Sequence, residues 1–258
     1  MKSIKNIAIA GTGNVATHLA RNLAHKGYRI SGIWSRNYAN AQALAGSCNT
    51  EAFSDLKDLT TQADLIIIAV TDSAIEQVAR SIGEFDGIAV HTAGSVNMGI
   101  FKGVFKHYGV LYPLQTMSKE IPVSFSEVPF FLEASSEDTL LELKKTALNL
   151  SAKVYEADSQ QRMLVHTAAV FTGNYSNLMY IIGNELLKLS GLPPEVLFPL
   201  IMETSHKAVT GDPFQFQTGP ARRNDSITIE KHIEALASLP EYAELYRLLA
   251  NIIIKKYE

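Results

Sequence analysis

The sequence of 258 residues has a single cysteine, Cys48, and little net charge. One thiol excludes an intrachain disulfide framework and a cysteine-rich metal site, so we expect no metal. The chain also lacks a run of about twenty apolar residues, the length that a membrane-spanning helix needs. Its net charge of −3 offers no basic field to nucleic acid. We therefore expect a cytoplasmic protein with no membrane and no nucleic acid among its partners.

The N-terminal segment has the pattern of a nucleotide-binding unit. An apolar run over 4–10 is followed by Gly11-Thr12-Gly13-Asn14-Val15-Ala16, a helical run to Gly27 and a second apolar run. Strand, glycine turn, helix and strand in this order bind dinucleotides. The glycine turn, with small residues at its first, third and sixth positions, and the helix N-terminus that follows it would suit a pyrophosphate. The alternative is a glycine turn in an unrelated α/β sheet. We predict cofactor contacts at Gly11, Thr12, Gly13, Asn14 and Val15.

Residues 1–50 contain no Asp or Glu, and this absence bears on which cofactor binds. NAD binders place a carboxylate at the end of the second strand, where it holds the ribose 2′-hydroxyl. This chain has Ser35-Arg36 there, and a guanidinium can bind a 2′-phosphate with two hydrogen bonds. We predict NADP(H), contacted by Ser35 and Arg36. The alternative is that Arg36 is a solvated turn residue.

Two later apolar runs end in small polar residues. Residues 64–70 lead into Thr71-Asp72, and residues 87–90 lead into His91-Thr92. Carboxyl ends of parallel strands meet at one sheet edge, where ligands bind. We predict that the cofactor is also contacted by Val70, Thr71, Asp72, His91 and Thr92. For His91 the alternative is a strand-end histidine bonded to backbone.

The character of the chain changes near residue 157. Residues 159–189 contain no Pro and only two Gly, which predicts a helix of about thirty residues. Further helices are expected over 194–210, 226–238 and 241–256. The fold class is therefore α/β: an N-terminal Rossmann domain, 1–157, with a doubly wound and mostly parallel sheet, followed by an all-α domain, 158–258. Because the long helix is largely apolar, we predict a homodimer through this half.

Polar residues form a stripe on the predicted long helix. His166, Gly173, Asn177 and Asn184 fall within about 20° of one line at about 100° per residue, and Asn174 lies beside them. We assign His166 as proton donor and Asn174 as the group that polarises the acceptor, with Asn177 near the substrate. The alternative is a hydrogen-bond ladder at a dimer interface.

The loop over 217–225 holds two neighbouring arginines after a Gly-Pro turn. Arg222 or Arg223 could bind a substrate carboxylate with two hydrogen bonds. The alternative is that Asp225 or Ser226 caps the next helix and both arginines lie in solvent.

Taken together, these motifs resemble the pyrroline-5-carboxylate reductase and β-hydroxyacid dehydrogenase superfamily. They resemble more closely its Rossmann-like NADP oxidoreductases whose helical C-terminal domain has no assigned function. The matching segments are Gly11–Ala16, Ser35-Arg36, Ile68–Asp72, His91–Gly94, Tyr112–Gln115, Thr218–Pro220 and Arg223–Asp225. The resemblance implies a helical domain like the C-terminal domain of 6-phosphogluconate dehydrogenase, used for dimerisation.

The chain departs from both enzyme groups in its first long helix. Those reductases carry Ser/Thr-Gly-Ser-Gly-Pro-Ala, of which Thr172-Gly173 alone remains, and the dehydrogenases use a lysine that is absent from 160–184. Three hypotheses stay open: an NADPH-dependent reductase of a small carbonyl or imine, a non-catalytic NADP(H)-binding sensor or scaffold, and hydride exchange with a deazaflavin.

Overall fold

The computed structural model describes residues 3–258, which form one compact unit that ends at Gly173 and a second that spans Asn174–Glu258. The first unit is built on an eight-stranded sheet in the order β3-β2-β1-β4-β5-β6-β7-β8. Only the β6–β7 pair is antiparallel among these described strands. The strands are β1 Asn6–Ala10, β2 Arg29–Trp34, β3 Ala52–Phe53, β4 Leu65–Ile68, β5 Ile88–His91, β6 His107–Pro113, β7 Phe130–Ala134 and β8 Val154–Glu156. The predicted doubly wound, mostly parallel Rossmann sheet is confirmed.

Helices cover both faces of this sheet. They are α1 Asn14–His25, α2 Tyr38–Ser47, α3 Ile75–Ile82 and α4 Glu137–Leu150. Successive side chains of β1 point to opposite faces, as strand geometry requires. Ile7 and Ile9 join the core beneath α1, α2 and α4, while Ala8 and Ala10 join the core beneath α3. Burial on both faces explains why the central strands are continuous apolar runs.

The strand order reverses beside β1, which fixes where a ligand can bind. The chain leaves β1 for β2 on one side and returns to β4 on the other. The loops after β1 and β4 therefore diverge and leave a crevice at the carboxyl ends of these strands. The sheet topology thus places the glycine turn at the floor of that crevice.

The helix α5, Ser159–Ala169, packs on the first unit. Asp158 caps it with a reciprocal capping box to Gln161. Its Arg162 is fully buried and donates to the Glu133 carboxylate of β7 and to the carbonyl of Val96. The compact first unit therefore includes α5. The domain boundary between residues 157 and 158 stays a prediction.

The predicted helix of about thirty residues is present over 159–190, but it is not a regular α-helix throughout. A π-helical segment, Val170–Tyr175, separates α5 from α6, Ser176–Ser190. Within it, Thr172 Oγ1 donates back to the carbonyl of Ala168 at 3.1 Å. Because a π turn holds more residues than an α turn, a constant 100° per residue does not apply across this segment. The polar stripe deduced from that angle is therefore not a straight line.

All the regular secondary structure of the second unit is helical, as predicted. It holds α6 and then α7 Phe198–Thr210, α8 Pro213–Phe216, α9 Ser226–Ala235 and α10 Pro240–Tyr257. Its buried apolar cluster is small and consists of Ala221, Ile229 and Ala250. Many larger apolar side chains of the same unit are exposed, Met202 by 70% and Val209 by 83%. None of the helices within residues 3–258 has the length and apolar character needed to cross a bilayer.

Candidate functional site

A cleft of about 700 Å³ lies at the carboxyl ends of β1, β2, β4 and β5. Three turns line it: the glycine turn, the turn after β4 and the turn after β5. Every predicted cofactor contact except His91 lines this cleft, namely Gly11, Thr12, Gly13, Asn14, Val15, Ser35, Arg36, Val70, Thr71, Asp72 and Thr92. The volume lies within the range of small-molecule and cofactor sites.

The two glycines of the turn are required for different reasons. Gly11 has a φ of +130°, and a Cβ added there would lie 2.1 Å from the carbonyl oxygen of Ala69. Only glycine is tolerated at such a position. Gly13 is open, because no atom lies within 4 Å of where its Cβ would be. An anion can therefore approach the backbone at Gly13.

The start of α1 offers backbone N–H groups to such an anion. Gly13 is the N-cap, and no described side chain caps this helix. The first N–H groups of a helix have no partner within it, and the helix dipole favours negative charge at this end. The Asn14 side chain turns away from that role, because its Nδ2 donates to the carbonyl of Met117 at 2.7 Å. This bond ties the loop after β6 to the glycine turn.

The end of β2 bears the only guanidinium among the described residues that line the cleft, that of Arg36. Thr12 Oγ1 donates to Ser35 Oγ at 3.0 Å and so links the glycine turn to the β2 end. Asn37 caps α2 by accepting from the N–H of Asn40 at 3.3 Å, and both asparagines line the cleft. None of the described lining residues at the β2 end bears a carboxylate, which suits an anionic group on the ribose.

The cleft has one carboxylate among its described lining residues, Asp72, which lies after β4. Ser95 Oγ donates to this carboxylate. The bond joins the turn after β4 to the turn after β5, as expected if the two flank the same end of a bound dinucleotide.

His91 does not line the cleft. It is fully buried, its Nδ1 accepts from the N–H of Ala93 at 3.2 Å, and its ring packs edge-on against Phe101 at 5.4 Å. Burial, with a smaller contribution from the Arg162 cation, lowers the pKa of His91 to about 3. The imidazole is therefore neutral at physiological pH. The geometry matches the alternative weighed for it, a strand-end histidine bonded to backbone.

His166, the predicted proton donor, lies beside the turn after β5. Its Nδ1 is 3.0 Å from the Tyr112 hydroxyl at the end of β6. A Cβ added at Gly94 would lie 2.7 Å from Cγ of His166, so the imidazole packs directly on this turn. Gly94 follows the cleft-lining residues Thr92 and Ala93. In the sequence Tyr112 is part of a family motif, and no pattern there indicates that it pairs with His166.

The other predicted site residues belong to the second unit, and their roles stay predictions. Asn174 lies near the end of the π-helical segment, and Asn177 lies in α6. The guanidinium carbon of Arg222 lies 4.1 Å from the centroid of the Tyr257 ring, and Arg223 is exposed. Asp225 caps α9, as the alternative for this loop proposed.

Sequence reasoning missed part of the cleft wall. These residues are Trp34, Asn37, Asn40, Leu56, Ala69, Ala74, Gln77, Val78, Ser81 and Ala93. Gln77, Val78 and Ser81 share one side of α3, and their spacing of one and four residues could have indicated a common face. Leu56 lies on a 3₁₀ turn, Leu56–Thr60, for which the sequence has no comparable signal.

Fold and cleft together define a Rossmann-type dinucleotide-binding protein with a helical C-terminal unit. Residues 6–90 match the family model described as NADP oxidoreductase coenzyme F420-dependent, and residues 128–253 match one described as a domain of unknown function, DUF2520. A solved structure from Bacteroides fragilis, provisionally named an NADP oxidoreductase, is 43% identical, with 98% of each chain covered and a TM-score of 0.91. The chain belongs to this family of NADP oxidoreductases, which confirms the family and the cofactor type predicted from sequence.

More distant structures share the fold. A reductive aminase from Aspergillus terreus, in complex with NADPH4, cyclohexanone and allyl amine, is 14% identical, with 98% and 93% of the two chains covered and a TM-score of 0.71. A pyrroline-5-carboxylate reductase from Coxiella burnetii is 17% identical, with 99% and 98% covered and a TM-score of 0.62. At these identities the likeness concerns the fold alone. No curated protein matches the chain.

Proposed function

We propose that the protein reduces a small carbonyl or imine with NADPH. When bound, the reduced nicotinamide supplies the hydride, which is the cofactor's own chemistry. The protein contributes binding, orientation and a proton. The observation that supports this most is that the His166–Tyr112 pair packs on Gly94, directly after the cleft-lining Thr92 and Ala93.

The cleft residues fit an NADP cofactor. The open backbone at Gly13 and the uncapped start of α1 suit the pyrophosphate. Arg36 suits a 2′-phosphate, and no carboxylate among the described lining residues lies at that end to repel it. Asp72 and Ser95 join the two turns at the other end of the cleft.

In this proposal His166 provides the proton that the reduced product needs. A carbonyl or imine gains negative charge on its heteroatom as hydride arrives, and a positioned acid neutralises it. An imidazole suits this step because histidine is the commonest general acid and base in enzymes. Asn174 would polarise the acceptor and Asn177 would contact the substrate. Arg222 or Arg223 would bind an acid group, since a guanidinium holds a carboxylate with two bonds.

Two other hypotheses have less support. The family model that mentions coenzyme F420 matches only residues 6–90, the part of the chain that builds the nucleotide cleft, so it provides no argument for a deazaflavin partner. A binding-only sensor would not need a histidine and a tyrosine paired beside the cleft. It remains an outcome of the experiment below.

The test is NADPH oxidation, followed at its absorbance, over a panel of cyclic imines, ketones and keto acids. We expect turnover with at least one class, and His166→Gln should lower kcat by about 100-fold while NADPH affinity is unchanged. His25→Gln is the matched control, since His25 is exposed at the end of α1 and does not line the cleft. Saturable NADPH binding without any turnover would overturn the proposal in favour of the sensor.

We also propose that the second unit mediates a homodimer. Its buried apolar cluster is small, whereas its helices expose Leu178, Met179 and Ile181 of α6 and Met202 of α7. Apolar surface of this extent marks an association site. Light scattering at micromolar concentration should give twice the 28.3 kDa of one chain. A monomer would contradict the proposal.

A further inference from the structure

A hydrogen-bonded pair of Tyr112 and His166 joins β6 to α5. The phenol oxygen lies 3.0 Å from Nδ1 of His166, and the two rings meet edge to face with centroids 6.0 Å apart. Tyr112 is buried at 9% exposure, whereas His166 is half-buried. Because Nδ1 is committed to the phenol, Nε2 is the ring nitrogen that remains available to another group.

The backbone that carries His166 is held firmly in place. Arg162 lies one turn earlier on α5 and is bonded to Glu133 and to the Val96 carbonyl. Ser159 Oγ donates to Glu133 at 2.8 Å and accepts from the N–H of Met98 at 3.1 Å. These bonds fix the first turns of α5 against β7 and the loop after β5. They do not fix the rotation of the His166 imidazole ring, which depends on the contacts of the ring itself.

Two contacts restrict that ring. Gly94 leaves just enough space for it, since an added Cβ would lie within 2.8 Å of Cγ, Cβ and Nδ1. Tyr112 engages Nδ1, and the tautomer of the ring sets which of the two groups donates. Burial raises the pKa of Tyr112 to about 12, against a smaller lowering by the Arg162 cation, so the phenol keeps its proton at neutral pH.

The phenol proton decides which tautomer of neutral His166 is favoured. When the phenol donates to Nδ1, the imidazole must carry its own proton on Nε2. When the ring is an imidazolium, Nδ1–H donates to the phenol oxygen and Nε2 again carries a proton. In both states Nε2 carries a proton, and the imidazolium is the state that can release it to a substrate.

We propose that Tyr112 is a positioning residue, which engages Nδ1 of His166 so that Nε2 is the nitrogen that delivers a proton to the substrate. The inference rests on the proposed reductase function. In the step itself the imidazolium is the acid: its Nε2–H bond breaks, and a bond forms between that proton and the oxygen or nitrogen of the reduced substrate. The electron pair of the broken bond stays on Nε2, which leaves a neutral imidazole whose Nδ1–H donates to the phenol oxygen, and a proton from solvent restores the imidazolium.

The first experiment needs no substrate. Nitrogen-15 NMR of the full-length protein, labelled at histidine, reports which ring nitrogen is protonated, and His166→Gln identifies the signals. At a pH where the ring is neutral, we expect Nδ1 of His166 to be an unprotonated, hydrogen-bonded acceptor. Tyr112→Phe should move the Nδ1 signal toward that of a free nitrogen and make the Nδ1–H tautomer detectable. Tyr155→Phe, on exposed Tyr155 of β8, should leave both signals unchanged.

Two spectroscopic results would overturn the proposal: a protonated Nδ1 in the neutral wild-type protein, or a Tyr112→Phe spectrum identical to wild type. Phe fills the same buried volume as Tyr without the hydroxyl, so the variant should fold. If it does not, Gly94→Ala provides a second test, because its Cβ displaces the imidazole while Tyr112 remains. That variant should also lose the Nδ1 signature.

The second experiment measures turnover once a substrate is known. Tyr112→Phe should lower kcat by about 10-fold, less than His166→Gln, and leave NADPH affinity within about 2-fold. Unchanged turnover would overturn the positioning role. A loss larger than that of His166→Gln would assign the proton to Tyr112 itself and also overturn it. If no substrate is turned over, the proposed function fails, whereas the NMR result still decides whether the pair exists.

Discussion

The two glycines of the nucleotide turn provide a sharp test, because the same substitution should have opposite consequences at the two sites. Gly11→Ala adds a Cβ 2.1 Å from the carbonyl oxygen of Ala69, at a φ of +130°. Gly13→Ala adds a Cβ with no atom within 4 Å. The first change should damage the fold, and the second should damage cofactor binding alone.

The expected stability changes follow from those distances. At Gly11 the backbone of the β4 end must move and an L-residue must adopt a disfavoured φ, so we expect a loss of at least about 3 kcal/mol. For a chain of this length, that lowers Tm by roughly 6–12 °C. At Gly13 the φ of −71° suits any residue, so the cost of alanine is that of a poorer N-cap than glycine. We expect a stability change below about 1 kcal/mol there.

For NADPH binding, in contrast to stability, we expect Gly13→Ala to cause a large change. If the pyrophosphate crosses the open backbone at Gly13, a methyl group there costs about 1–3 kcal/mol, which is roughly 5–150-fold in Kd. NADPH at 100 times its Kd stabilises a protein by about 2.7 kcal/mol. With a 100-fold weaker Kd, the same concentration stabilises by only about 0.4 kcal/mol. The ligand-induced shift in Tm should therefore shrink in Gly13→Ala, and it should almost vanish if the loss of affinity is near 100-fold.

The assay is thermal unfolding with and without NADPH, together with a fluorescence titration of NADPH. Gly46→Ala serves as a control, because Gly46 lies in α2 outside the cleft and its added Cβ also meets open space. It should bind NADPH as wild type does. Wild-type NADPH affinity in Gly13→Ala would refute the reasoning, since the pyrophosphate would then not lie on this turn.

Three further predictions concern charged groups. Arg36→Ala should weaken NADPH binding by about 10-fold and leave NADH binding unchanged in a direct titration. The effect is modest because an exposed guanidinium–phosphate pair contributes little binding free energy. Arg29→Ala, the control, should change the affinity for neither cofactor. Because the pKa of His91 is about 3 in the folded chain and 6.5 is its ordinary value, the unfolded chain binds the extra proton between these values. The free energy of unfolding should therefore fall as pH drops below about 6.5, with a slope of up to about 1.4 kcal/mol per pH unit. Urea unfolding at several pH values should show this slope in the wild-type protein, and His91→Leu should remove it. Glu133→Gln leaves the buried Arg162 without its carboxylate and should lower the free energy of unfolding by about 3 kcal/mol, measured with denaturant. Adding Arg162→Met should restore part of that loss. Equal stability of Glu133→Gln and wild type would contradict this prediction.

The sequence was sufficient for the nucleotide cleft because its determinants are local. Gly11 and Gly13 act through their own backbone, and their neighbours belong to one strand–turn–helix unit. Parallel strands bring their carboxyl ends to one edge, so the turns after β4 and β5 could be predicted to join that unit. His91 shows the limit: its position at a strand end was predicted, but its burial depends on Phe101, which lies on another element.

The tertiary structure alone decided the surroundings of His166 and Arg162. A helical period assigns a residue to a face of its helix, but it does not say which distant side chain meets it, and it fails across the π turn at 170–175. Tyr112 is 54 residues from His166 and Glu133 is 29 residues from Arg162, and each pairing exists because α5 packs on β6 and β7. The sequence by itself thus determined where the nucleotide cleft would lie. Only packing between distant segments decided which side chains are paired beside it.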